Sequence, residues 1–190
     1  MLLYIFAYLL LVGFFVIEFF VRQGKDTKNM DRTAHDRGST TFVSAVMGTA
    51  FILLPISPLL NYLGFCAFHN QAVGWVGVLF GIGGLIVRYL AFTTLGRFFS
   101  RILRETEDHA LVTNGIYKYI RHPGYLSDFL IFIGTALAMG NMFTLVLVVV
   151  TFVPAYAYRM HTEERMLIEI FGDQYRLYQT SSKRLIPFIF

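Results

Sequence analysis

The chain has 190 residues, 56% of them hydrophobic and 15% charged, with a mean hydropathy of +0.58 and a formal net charge of +4. Apolar runs of about 20 residues recur, long enough to cross a hydrocarbon core roughly 30 Å thick, which excludes an ordinary water-soluble domain and points to one all-α polytopic membrane domain over residues 1–190. Cys66 is the only cysteine, excluding an intrachain disulfide and any multi-cysteine metal site.

In chain order, the first predicted span runs from Leu2 to Val21. It has neither a basic stretch ahead of it nor a small-residue cleavage site behind it, and is expected to be a retained anchor. Spans follow at Thr41 to Leu60 and Ala72 to Thr94. "GIGG" at Gly81 to Gly84 lies inside the third, where close helix packing is the simpler explanation. Leu95 to His122 is read as a cytoplasmic cap. The fourth and fifth spans, Tyr125 to Met139 and Met142 to Tyr158, are short, and Gly140-Asn141 folds them into a tight hairpin. Pro123 suits the first position of the fourth helix, where a missing N–H costs nothing. The fifth helix is expected to run on towards Phe171, with Gly172 as its breaker.

Basic residues fill the first loop (Arg22, Lys25, Lys28, Arg32, Arg37), the third (Arg97, Arg101, Arg104, Lys118, Arg121) and the tail (Arg159, Arg165, Arg176, Lys183, Arg184), and none lies in 61–71 or at Gly140-Asn141. By the positive-inside rule the N-terminus is outside and the C-terminal tail is cytoplasmic. Membrane topology accounts for this basic charge, and no nucleic-acid partner is expected.

Two polar clusters, residues 109–125 and "RMHTEE" at 159–164, flank the hairpin on one membrane face and should meet in space. Both could be anchoring belts whose Arg and Tyr side chains reach the interface. Arg159 and Glu163, four apart, share a helix face. They could form a surface ion pair worth only ~0.3 kcal/mol, or arginine could grip a carboxylate while glutamate accepts two hydroxyls, as a ribose requires. Glu18 and Arg88 look isolated and are read as end-of-helix charges. His35, His69, His109, His122 and His161 lack ligand spacing, so no metal is expected. There is no Walker loop and no G-x-G-x-x-G after a strand.

The run "HALVTNGIYKYIRHPGY", a short hairpin, "RMHTEERMLIEIFGDQYRLY" and "RLIPF" together resemble the isoprenylcysteine carboxyl methyltransferase family, an integral-membrane group using S-adenosylmethionine and related to the phospholipid methyltransferases. The resemblance covers residues 95–190; the earlier spans, 1–94, resemble it in hydropathy and count only. Membrane sterol and steroid reductases carry a similar Arg-His-Pro-x-Tyr element, but the Glu-Glu and Phe-Gly-Asp-x-Tyr elements at this spacing single out the methyltransferases. The resemblance implies a donor, S-adenosylmethionine, against His109, Ala110, Leu111, Val112, Tyr117, His122, Pro123, Gly124, Tyr125 and Glu163, and an acceptor carboxylate on Arg159. Ser181 stands three positions after Tyr178, where eukaryotic members usually carry a basic residue, and Ile102 occupies the region of a polar donor-binding residue. The expected partners are membrane lipids and a lipid-like or small apolar acceptor. Acceptors range from a prenylcysteine carboxylate to a phospholipid amine or a small thiol. An NADPH-dependent sterol-type reductase and a non-catalytic membrane carrier remain the competing functions.

Overall fold

The computed structural model describes residues 1–23, 38–95 and 111–186. Six α-helices occur there: α1 Leu2–Gln23, α2 Ser39–Tyr62, α3 Gln71–Leu95, α4 Pro123–Met139, α5 Met142–Phe171 and α6 Asp173–Ser181, with a 3₁₀ turn at Gly115–Lys118 before α4. Four of them, α1, α2, α3 and α5, are long and apolar enough to cross a membrane, and α4, with 17 residues, is shorter. The chain is an integral, multi-pass membrane protein. Most of the cap expected between Leu95 and His122 lies outside the described residues.

Large apolar side chains such as Leu9, Val12 and Phe19 of α1 or Leu79 and Ile86 of α3 stand exposed on the outside of the bundle, where lipid is their solvent. Inside, the rings of Phe14, Phe51, Phe132 and Phe152 pack edge to face and tilted at 5.0–5.5 Å, joining α1, α2, α4 and α5. Close packing of α3 on α4 depends on missing side chains. A Cβ on Gly134 would lie 2.5 Å from the Gly77 carbonyl oxygen and 2.6 Å from the Gly81 nitrogen, and one on Gly84 would meet Ile131 at 2.7 Å. The "GIGG" stretch is therefore a packing surface, since without a hydrophobic drive between helices in lipid, backbone approach and van der Waals contact hold them together. Helix α2 contains Pro55 and Pro58, and side chains bond backbone carbonyls beside them: Ser57 Oγ donates to the Leu53 carbonyl at 3.3 Å and Tyr8 to the Pro55 carbonyl at 2.8 Å.

The predicted hairpin is present. Gly140, at φ 67°, ends α4, and Asn141 begins α5 by accepting the Thr144 N–H at 3.1 Å. Asn141 is fully buried and its amide also donates to Asn61 Oδ1 and the Phe65 carbonyl, both at 2.8 Å. The hairpin turn is thus fastened to the α2–α3 connection, with Met142 N–H bonded to the Cys66 carbonyl and Phe68 N–H to that of Gly140. Asn61 reaches Tyr4 of α1 as well. One end of the bundle holds all of these. The other holds the start of α2, the 3₁₀ turn, the start of α4, the polar part of α5 and the C-terminal tail. As expected, α5 continues past Tyr158 to Phe171. The 3₁₀ turn and α6 were not among the predicted elements.

Candidate functional site

The site begins where α4 starts. Pro123 occupies the first helical turn with His122 as the preceding cap residue, which sets Tyr125 one turn in, facing α5. Arg159 and Glu163 share the facing side of α5, and the Tyr125 hydroxyl sits between them: Arg159 Nε donates to Tyr125 Oη at 3.1 Å, and the Tyr125 O–H donates to Glu163 Oε2 at 2.5 Å. The His122 ring stacks on Tyr125 at 5.3 Å and 15°, with Nδ1 3.8 Å from Glu163 Oε2. An exposed ion pair does not describe this geometry, because Arg159 is buried at 4% exposure. Its Nη1 donates to Ser39 Oγ and Thr40 Oγ1, each at 2.8 Å. Ser39 and Thr40 were not singled out in the sequence; two hydroxyls at the start of a predicted span carry no signal of a partner 120 positions away.

Tyr117 is placed beside the same carboxylate by the 3₁₀ turn, and its carbonyl accepts the Tyr178 hydroxyl at 2.6 Å. Burial, and then the charge of Glu163, push the Tyr117 phenol up. Leu111 and Val112, both half-buried, lead into that turn, and Pro123 is buried. A Cβ on Gly124 would meet nothing within 4 Å, so the backbone at that position faces open space. His109, Ala110 and Ile102 lie outside the described residues.

Behind this group Glu164 gathers positive charge. It accepts from Arg121 Nε at 3.0 Å and from Arg184 Nη2 at 2.6 Å, and His122 Nε2 stands 3.3 Å away. The C-terminal tail brings Arg184 there by pairing with the chain ahead of α4: Arg121 N–H bonds the Lys183 carbonyl at 2.7 Å, His122 N–H that of Arg184 at 3.0 Å, and Lys183 N–H that of Tyr119 at 3.0 Å. An anchoring role for Arg121 is corrected by this arrangement. Its side chain is 9% exposed and is held by Glu164, the Gln179 carbonyl and the Ser182 carbonyl. Lys118 is exposed. Ser181, also exposed, donates to the Tyr178 carbonyl.

A second correction concerns Glu18 and Arg88, which are not isolated. Arg88 Nη2 meets Glu18 Oε2 at 2.7 Å, and Nη1 meets Asp128 Oδ1 at 2.5 Å and Ser127 Oγ at 3.3 Å. The guanidinium lies over the rings of Phe14 and Phe92, 4.0 and 4.7 Å from their centroids. Asp128 Oδ2 accepts the Tyr156 hydroxyl at 2.9 Å. Neither Asp128 nor Tyr156 stands out in the sequence, because Asp128 lies 40 positions from Arg88 and Tyr156 lies 28 from Asp128 along the chain.

Comparison with known proteins bears on this arrangement. The family model described as the isoprenylcysteine carboxyl methyltransferase (ICMT) family matches residues 75–169. A probable protein-S-isoprenylcysteine O-methyltransferase of Oryza sativa subsp. indica is 30% identical over 163 residues, covering 82% of this chain and 85% of that protein. The protein-S-isoprenylcysteine O-methyltransferase of Schizosaccharomyces pombe is 33% identical over 133 residues, 69% of this chain and 54% of its own length. A solved structure of the eukaryotic intramembrane Ras methyltransferase ICMT superposes with a TM-score of 0.60 at 28% identity, covering 83% of this chain and 55% of that one. The chain thus spans about half the length of the last two.

Proposed function

Because the chain belongs to the isoprenylcysteine carboxyl methyltransferase family, we propose that it transfers a methyl group from S-adenosylmethionine to the carboxylate of a prenylcysteine-like amphiphile at the membrane interface. The observation that carries this is the Tyr125 hydroxyl, which bridges a cation, Arg159, and a carboxylate, Glu163, on one face of α5. Acceptor and donor each need one of the two.

The residues present suit the donor. Stacked His122 and Tyr125 rings offer an aromatic face, Glu163 keeps 26% of its side chain exposed, and space opens beside Gly124. Tyr117, His122, Pro123, Gly124, Tyr125 and Glu163 would hold it, with Leu111 and Val112 at one edge and His109 and Ala110 completing the set. Bound there, S-adenosylmethionine supplies an electrophilic methyl group on a positively charged sulfur. Glu163 contributes the matching negative charge and an acceptor for ribose hydroxyls.

Arg159 is the group for the acceptor. Its planar fork can take one carboxylate oxygen and leave the other for attack. A carboxylate is ionised at neutral pH, so no general base is required, and the work left to the protein is to exclude water and align the reactants, an effect that reaches several orders of magnitude in rate. Ser39 and Thr40, on Arg159 Nη1, set the direction of that fork. Residues 95–190 then carry donor binding and catalysis, and 1–94 supply the supporting spans. We place the polar end of the bundle and the C-terminus in the cytoplasm, with α4 as a fifth crossing and the segment before the 3₁₀ turn as a cap. The soluble donor enters from that side, and the amphiphile arrives from the bilayer.

A labelled-methyl assay on membranes with farnesylcysteine, phosphatidylethanolamine and a small thiol side by side identifies the acceptor; transfer only to the amine or the thiol overturns the carboxylate assignment. Calorimetry in detergent is expected to show micromolar binding of S-adenosylhomocysteine that Glu163→Ala abolishes, and binding of NADPH in its place would exclude the donor. Arg159→Ala is expected to keep donor binding and lose turnover. If donor binding collapses as well, the acceptor role of Arg159 is wrong.

A further inference from the structure

Resting on the methyl-transfer reading above, we propose that Tyr156, Asp128 and Arg88 are positioning residues for that reaction, a buried chain that fixes the Tyr125 ring and, through its hydroxyl, the separation of Arg159 and Glu163. Tyr125 is held on two sides. The His122 ring stacks on it, and the Tyr156 ring meets it edge-on at 5.3 Å and 66°. Tyr156 is itself fully buried and cannot turn freely, because its hydroxyl is bonded to Asp128 Oδ2. The other oxygen of Asp128 is bound by Arg88, and Arg88 is bound in turn by Glu18. The chain therefore runs from α1 through α3 and α4 to α5, and ends one ring away from the groups assigned to acceptor and donor.

Ionised groups inside a membrane bundle are costly, and well-packed apolar residues of similar volume often hold helices as well or better. Helix–helix packing in this protein already has another source in the glycines of α3 and α4. What the ionic chain adds is direction. Guanidinium and phenol donate, and carboxylate accepts, along preferred directions, so the chain specifies one rotation of Tyr156 and one plane for Tyr125. Alkyl side chains in its place would pack without specifying either. In-line displacement is sensitive to such placement; about 1 Å of error can cost a hundredfold in rate.

The test uses the full chain in lipid nanodiscs. Tyr156→Phe keeps the ring and removes the bond to Asp128. It is expected to lower kcat about tenfold or more, to change the donor KM by less than about twofold, and to shift or broaden the Arg159 Nε–H nitrogen resonance, assigned by its loss in Arg159→Lys. Tyr125→Phe combined with Tyr156→Phe should turn over no more slowly than Tyr125→Phe alone, since both act through one ring. A charge-free variant, Glu18→Gln with Arg88→Met and Asp128→Asn, separates positioning from folding: it should keep the melting temperature and lower kcat, because the amide oxygen at position 128 can still accept the Tyr156 hydroxyl but Arg88 no longer orients it. An unmoved Arg159 resonance in Tyr156→Phe, additive losses in the double variant, or wild-type kcat in the charge-free variant overturns the proposal. A wild-type protein that methylates none of the acceptors sinks the methyl-transfer reading alone, and the Arg159 resonance still decides the positioning chain.

Discussion

Glu164 shows how much one carboxylate can organise at the polar end of this bundle. Burial raises its pKa, but the hydrogen bonds and charges of His122, Arg184 and Arg121 outweigh burial, and the group titrates at about 2. That lies below the value near 4.3 expected in an unfolded chain, so the stabilisation is complete above about pH 4.5 and is lost as pH falls towards 2. A shift of this size is worth roughly 3 kcal/mol at most, Arg184 being 37% exposed and partly screened. Melting curves of the detergent-solubilised protein should therefore fall between pH 5 and pH 3 in the wild type. Glu164→Gln should melt lower at pH 7 and lose the part of that acid sensitivity owed to Glu164; equal slopes in the two proteins would contradict the assignment. At this scale the sequence was legible where chemistry and spacing coincided, as with Arg159 and Glu163 four apart, and where the hairpin brought His122 opposite them. Glu164 was visible only as half of a Glu-Glu pair, since its partner Arg184 arrives by tail pairing that no periodicity records.

Among the elements, the α4–α5 hairpin could be read from Gly140-Asn141 and Pro123 because each answers a local backbone requirement. The 3₁₀ turn and α6 could not, for α6 is polar and shows only the i, i+3 pair Tyr175 and Tyr178 as its buried face. Glycine spacing in α3 indicated packing but not its partners, which are Gly134 and Ile131 of α4 for Gly77 and Gly84, and Leu3 and Leu10 of α1 for Gly74 and Gly81. Gly134→Val would force a branched side chain against the backbone of Gly77 and Gly81, which cannot give way as a flexible side chain would. The expected loss is about 1–3 kcal/mol or more, read as a melting temperature lower by several degrees. Gly83 on the same helix as Gly77 meets nothing within 4 Å of an added Cβ, so Gly83→Ala should leave the melting temperature unchanged or slightly raised. If both substitutions proved equally harmless, glycine contact would not be what holds α3 to α4.

For the molecule as a whole, hydropathy and basic-residue placement predicted five crossings, and the structure has four helices long and apolar enough to cross together with the shorter α4. With 17 residues, α4 is about 25 Å long, less than the hydrocarbon thickness of roughly 30 Å. It nevertheless runs from the polar end of the bundle, at Pro123, to the end where Gly140 bonds the α2–α3 connection. If α4 counts as a crossing, Cys66 follows two spans and Lys183 follows five, and the two lie on opposite sides of the membrane. If it does not, Lys183 follows four and shares a side with Cys66. Cys66 is exposed and is the only cysteine, which makes the distinction measurable. A membrane-impermeant maleimide applied to intact cells carrying the protein in their surface membrane should label Cys66 without permeabilisation. In Cys66→Ser with Lys183→Cys, labelling should appear only after permeabilisation. Labelling of both without permeabilisation would remove α4 from the crossings. Labelling of Lys183→Cys alone would invert the orientation and put the Arg159–Glu163 site out of reach of a cytoplasmic methyl donor.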